Sequence, residues 1–130
     1  MGRVSSKTLR RWVSRKTNEL LVETIRLLRR AATQNKAPIW RAAAELLARP
    51  RRSRIEVDVG KLAKVTKPND VVLVPGKLLG GGTLSHPVVV AAFSWSAGAK
   101  RKVEAAGGKV ITIQQLLREN PRGSRVKLVR

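Results

Sequence analysis

Two short stretches of this chain contain no polar side chain at all: Val71-Val72-Leu73-Val74, and Val88-Val89-Val90 continuing through Ala91 and Ala92 to Phe93. Neither approaches the roughly 20 apolar residues that a membrane span requires. Their length and abundant valine instead mark strands buried inside a folded core. Apolar residues make up 42% of the chain, enough to build such a core.

The sequence around these strands alternates in character. Leu21, Ile25, Leu28 and Ala32 recur at helical spacing, with Leu20, Leu27 and Ala31 widening the stripe. They predict an amphipathic helix capped by Thr17 or Asn18 and running to about Ala32, with Arg26, Arg29 and Arg30 in the half where cations suit the helix dipole. Pro38 suits the first residue of a second helix, which buries Ile39, Ala43, Leu46 and Leu47 and stops near Ala48, ahead of Pro50. The pair forms a helical hairpin with a basic outside. Past the joint Pro50-Arg51-Arg52-Ser53-Arg54, Ile55, Val57 and Val59 alternate with Glu56 and Asp58 as a half-buried strand.

A short helix over 60–65 and a turn at Lys67-Pro68-Asn69-Asp70 lead into the first apolar strand. Pro75-Gly76 is expected to turn the chain out of it toward Gly80-Gly81-Gly82. After the second apolar strand, Ser94 is expected to cap a helix from Trp95 to about Ala106, ended by Gly107-Gly108. Residues 109–111 are strand-like. Thr112 and Gln115 have capping-box spacing for a helix through Glu119, broken by Asn120-Pro121. Arg122-Gly123-Ser124 then turns into a final strand over 126–129. The fold class is mixed α/β: an N-terminal helical hairpin followed by interleaved strands and helices. The expected organisation is one compact domain in three parts: a basic arm or short helix over 1–16, the hairpin over 17–52, and the mixed core over 53–130.

Twenty-eight lysines and arginines stand against eight acidic residues, a formal net charge of +20 over 130 residues. Self-repulsion on that scale destabilises a compact monomer unless a polyanion or counterions relieve it, so the partner is a phosphate polymer. The aromatic residues are three Trp and one Phe, with no Tyr, too few for serial base stacking on a single strand. Duplex or folded RNA, or duplex DNA, is the better target. The absence of Cys removes disulfides, thiolate metal sites and thiol nucleophiles, and is compatible with a reducing compartment. No signal-peptide stretch follows Met1, and Gly2 with Ser6 fits a myristoylation pattern only superficially.

Catalysis needs a poised acid, base or nucleophile, and little here offers one. His86 is the only histidine and precedes Pro87, which suits a turn and a phosphate or structural contact. Glu56 and Asp58 share one strand face but lack the further converging carboxylates of metal-assisted hydrolysis. The stretch Gly76-Lys77-Leu78-Leu79-Gly80-Gly81-Gly82-Thr83 runs backwards relative to a P-loop, which ends in Gly-Lys-Ser/Thr. Its backbone N–H groups can still approach a phosphate, flanked by Lys77, Thr83, Ser85 and His86, or it simply makes a tight crossover. Lys100, Arg101 and Lys102 lie opposite Ala99, Val103 and Ala106 on their helix. Arg122, Ser124 and Arg125 cluster about a glycine turn.

From residue 71 onward the order of these pieces is specific. The apolar strand, Pro75-Gly76-Lys77-Leu78-Leu79-Gly80-Gly81-Gly82, the run from Val88 to Ser94, Ala97, Ala99-Lys100, Ala106-Gly107-Gly108, Leu116-Leu117 and Asn120-Pro121-Arg122-Gly123-Ser124 appear in turn. Together they resemble large-subunit ribosomal protein eighteen of archaea and eukaryotes, the "e" type, which is related to bacterial ribosomal protein fifteen. The helical hairpin fits as well, and the short length looks archaeal. The resemblance implies a mixed α/β domain, cytoplasmic within the large ribosomal subunit, that binds large-subunit ribosomal RNA beside neighbouring ribosomal proteins. It implies no enzymatic activity, cofactor, metal, membrane or small-molecule substrate.

The residues expected to contact RNA are Lys7, Arg10, Arg11, Arg15 and Lys16 in the arm, Lys77 and His86 near the glycines, Lys100, Arg101 and Lys102 on a helix, and Arg122 and Arg125 at the late turn. A DNA-compacting chromatin protein is the alternative for so basic a chain, although no clear helix-turn-helix pairing is present. An RNA-processing enzyme using His86, Glu56 and Asp58 is the third reading.

Overall fold

Every strand pairing among the described residues, 19–49 and 54–130 of the computed structural model, is parallel. The chain order is α1 (Glu19–Asn35), α2 (Pro38–Ala48), β1 (Ile55–Asp58), α3 (Val59–Val65), β2 (Asp70–Leu79), β3 (Val88–Trp95), α4 (Ala97–Ala105), β4 (Lys109–Thr112), α5 (Ile113–Glu119) and β5 (Val126–Leu128). β2 is the organising strand. β3 runs along one of its edges and itself pairs with β4. The other edge is shared: β5 lies opposite Val71, Val72 and Leu73, and β1 lies opposite Gly76, Lys77, Leu78 and Leu79.

Side chains alternate across the sheet, so successive residues of one strand serve two cores. Leu73, Ala91 and Ile111 pack with Leu21, Ile25 and Leu28 of α1, Trp40 and Leu47 of α2, and Ile113 and Leu116 of α5. Val72, Val74, Val90 and Ala92 face the other way, onto Val59 and Leu62 of α3 and Ala99 and Val103 of α4. Helices covering both faces of a parallel sheet explain why Val71–Val74 of β2 and Val88–Phe93 of β3 are apolar without interruption.

Several boundaries differ from the sequence reading. Pro75-Gly76 does not turn the chain; β2 continues through it to Leu79. The register of β2 against β3 shifts between Val74 and Lys77, which accommodates a residue lacking an N–H. Gly76 is required there, because a Cβ would lie 2.1 Å from the carbonyl oxygen of Ile55 on β1. β3 likewise extends to Trp95, so Ser94 is a strand residue and Ser96 caps α4, its Oγ accepting from the Ala99 N–H at 3.1 Å. Val59 opens α3 instead of closing β1.

Leu20 is 54% exposed and off the apolar stripe. Thr24 is buried in its stead, donating to the Leu20 carbonyl (2.8 Å) and accepting from Gln114 Nε2 of α5 (2.9 Å). α1 also runs on to Asn35, where Lys36 takes a positive φ of 49°. The expected cap at Thr17 or Asn18 lies outside the described residues. α2 matches its expected limits, and Thr112 caps α5 by accepting from the Gln115 N–H at 3.1 Å. The Gln115 side chain reaches Glu119 at 3.4 Å instead of closing the box.

Candidate nucleic-acid interface

The glycine run after β2 wedges between the first turns of α3 and α4. The Gly60 N–H donates to the Gly81 carbonyl at 2.8 Å. A Cβ on Gly82, whose φ is +84°, would stand 2.6 Å from Gly60 Cα, so the two backbones touch only because neither carries a side chain. Lys102 reaches back from α4 and donates Nζ hydrogens to the carbonyls of Gly80 (2.5 Å) and Gly82 (2.6 Å). Its charge holds the loop. Thr83, Lys61 and Lys64 border an open hollow beside the loop, with Asp58 on its rim.

From there the chain runs back the length of the sheet to start β3, so His86 sits at the opposite end from the glycines. Its Nε2 lies 2.8 Å from Thr66 Oγ1, which itself donates to the Leu62 carbonyl at 2.5 Å. With that hydroxyl hydrogen committed, the ring N–H is the donor to Thr66. The structure therefore separates His86 from the glycine loop that the sequence grouped it with. Nearby, Asp70 accepts from the Lys67 backbone N–H at 2.8 Å and from Lys127 Nζ at 3.3 Å. The Lys67 N–H, followed by the Lys127 ammonium, holds the Asp70 carboxyl below the usual carboxylate range.

Lys77 is exposed on the strand face opposite buried Leu78, with Glu56 and Ser94 beside it in register. Lys100 and Arg101 stand exposed on α4, on the far side of the sheet from α1 and α2. Lys100 lies 3.9 Å from Glu104; with both side chains about half exposed, the pair contributes little stability. Arg122 and Arg125 flank Gly123 on a turn locked to α2. Gly123 has φ +67°, and a Cβ there would lie 2.7 Å from Ile39 Cγ2. Asn120 closes the turn, donating to the Ser124 carbonyl at 2.8 Å and accepting from its N–H at 3.3 Å. Lys7, Arg10, Arg11, Arg15 and Lys16 lie outside the described residues.

A further cationic feature escaped the sequence reading. Arg26, Arg29, Arg30, Lys36 and Arg41 line one open groove of about 750 Å³ where α1 gives way to α2, together with Thr33 and Pro38. Arg41 pairs with Glu45 at 3.2 Å, but no carboxylate lines the groove itself. The signal was present: positions 26, 29 and 30 have the three- and four-residue spacing of one helix face. The sequence reading puts these arginines on the basic outside of the hairpin, in the half that suits the helix dipole, without naming them as RNA contacts. Lys36 and Arg41 join it through a turn that helical spacing does not foresee.

Among the described residues no cluster of three or more His, Cys, Asp or Glu is placed to hold a metal ion, and no helix is long and apolar enough to cross a membrane. Sheet, loops and outer helices thus make a cationic α/β scaffold. A family model for ribosomal proteins 50S-L15, 50S-L18e and 60S-L27A matches residues 33–111. Large ribosomal subunit protein eL18 of Archaeoglobus fulgidus is 49% identical over 115 residues, 88% of this chain and 98% of its own length. The protein of that name from Pyrobaculum aerophilum is 53% identical over 113 residues, 87% of this chain and 93% of its own. That of Methanococcus maripaludis is 46% identical over 113 residues, covering 87% and 94%. The chain belongs to the family of ribosomal proteins 50S-L15, 50S-L18e and 60S-L27A, whose members are structural proteins and not enzymes.

Proposed function

We propose that this chain is a constituent of the large ribosomal subunit that binds and stabilises large-subunit ribosomal RNA, and so supports translation. The observation that carries the reading is the groove of Arg26, Arg29, Arg30, Lys36 and Arg41, which no carboxylate lines, although Arg41 is paired with Glu45 beside it. Guanidinium groups fork two donors onto one phosphate, and each phosphate neutralised releases condensed counterions. The folded sheet supplies shape, which suits recognition of RNA junctions by geometry instead of base sequence. Lys77, His86, Lys100, Arg101, Lys102, Arg122, Arg125 and the basic arm are further contacts, made in the cytoplasm next to other large-subunit proteins.

The test is binding to large-subunit RNA fragments across a salt series. Contact with roughly eight phosphates gives log affinity against log salt a slope of about −6. A slope near zero sinks the reading. Equal affinity for duplex DNA of the same length would favour the chromatin alternative.

A further inference from the structure

Resting on that reading, we infer that the protein is a bivalent RNA binder, gripping one RNA segment on each side of its sheet and holding the two together. The groove cations project from α1 and α2, whose apolar faces pack on Leu73, Ala91 and Ile111. Lys64, Lys100 and Arg101 are exposed on α3 and α4, whose apolar faces pack on Val72, Val74 and Val90. Alternate residues of the same strands thus anchor the two sets of cations, which places them on opposite outer surfaces.

Between those surfaces lie two helix layers, each about 10 Å across with side chains, and the sheet. The cation tips are therefore on the order of 20 Å apart, well beyond the Debye length of about 8 Å at physiological salt. The faces are electrostatically independent, and phosphate bound on one does not discharge the other. Each keeps an excess of cations: on the α3–α4 face Lys100 has Glu104 at 3.9 Å, an exposed pair of little strength, and Asp58 borders the hollow beside Lys64. Among the described residues, Arg26, Arg29, Arg30 and Lys36 have no carboxylate partner, and neither do Lys64 and Arg101. One duplex lying along the groove leaves the α3–α4 face uncovered, and that face takes a second.

The test uses the full chain with two short RNA duplexes of different mass, carrying donor and acceptor fluorophores, in native mass spectrometry and energy transfer at physiological salt. The expected species is one protein with both duplexes. Arg26→Ala/Arg29→Ala/Arg30→Ala and, separately, Lys64→Ala/Lys100→Ala/Arg101→Ala each retain one duplex and lose energy transfer. Their combination holds either duplex far more weakly than each variant alone, on the cations that remain. Wild-type protein carrying one duplex only, or a groove variant that still joins two, overturns bivalency while leaving RNA binding intact. Wild-type protein carrying neither duplex removes the underlying reading as well.

Discussion

The indole Nε1 of Trp40 donates to the carbonyl of Pro121 at 2.7 Å, joining α2 to the late turn across 81 positions of sequence. Trp40 is fully buried, and its ring lies where a Cβ on Gly123 would come within 3.2 Å. One side chain thus fills the core and anchors the turn bearing Arg122 and Arg125. Trp40→Phe keeps most of the packing and is expected to cost about 1 kcal/mol for the lost hydrogen bond. Trp40→Ala should cost about 3–5 kcal/mol through the cavity as well. Urea denaturation measures both. Amide exchange over residues 120–125 should speed up in the Phe variant while the sheet stays protected.

Two glycines make opposite predictions. Gly76→Ala drives a Cβ into the Ile55 carbonyl at 2.1 Å and should detach β1 from β2, seen as a large fall in melting temperature and loss of protection at Val57. Gly98 lies within α4 with nothing within 4 Å of a Cβ. Gly98→Ala should stabilise by about 0.4–1 kcal/mol, because the unfolded chain loses freedom and the helix gains a better former. A destabilised Gly98→Ala variant would contradict the open space seen there.

Much of this architecture was legible from pattern alone. Pro38, Thr112 and the valine runs carry local signals strong enough to place α2, α5 and the two central strands. The misses share one cause, which is that tertiary partners decide them. Pro75-Gly76 reads as a turn until Ile55 is seen to need a glycine opposite it and the register to shift around the proline. Ser94 reads as a cap until the pairing of β3 with β2 is followed out to Trp95. The loop contact of Lys102 is tertiary in the same way: its reach to the Gly80 and Gly82 carbonyls adds to the phosphate contact expected of it. The groove was missed for the same reason, since Lys36 and Arg41 meet Arg26 only through the geometry of the hairpin.

Asp70 gives acid-range stability a definite sign. Its carboxyl titrates lower when folded than when unfolded, so its contribution is fully present above the ordinary carboxylate pKa and fades as pH falls through the depressed folded value. Comparing urea midpoints of wild type and Asp70→Asn as pH is lowered through the acid range should show wild type more stable at neutral pH. The two should converge in acid. A constant difference across that range would mean that the Lys67 and Lys127 contacts do not depend on the charge.

Removing groove arginines should change salt dependence as well as affinity. Each phosphate contact contributes about 0.7–0.9 to the slope of log affinity against log salt. Arg26→Ala/Arg29→Ala/Arg30→Ala should therefore flatten the slope for RNA by about 2–3, while the urea midpoint stays close to wild type. An unchanged slope would place the bound phosphates elsewhere.

The shared edge of β2 also sets an order of events in folding. β1 precedes β2 and β3 follows it closely, so those pairings close comparatively short loops, whereas β5 returns to Val71 only from Val126. Long closures form slowly, and until this one is made half of the β2 edge stays open to any strand that passes. The late arrival of β5, completed when the Val129 N–H bonds the Leu73 carbonyl at 3.0 Å, makes the interval before closure the time when this chain is most exposed to mispairing with its own copies.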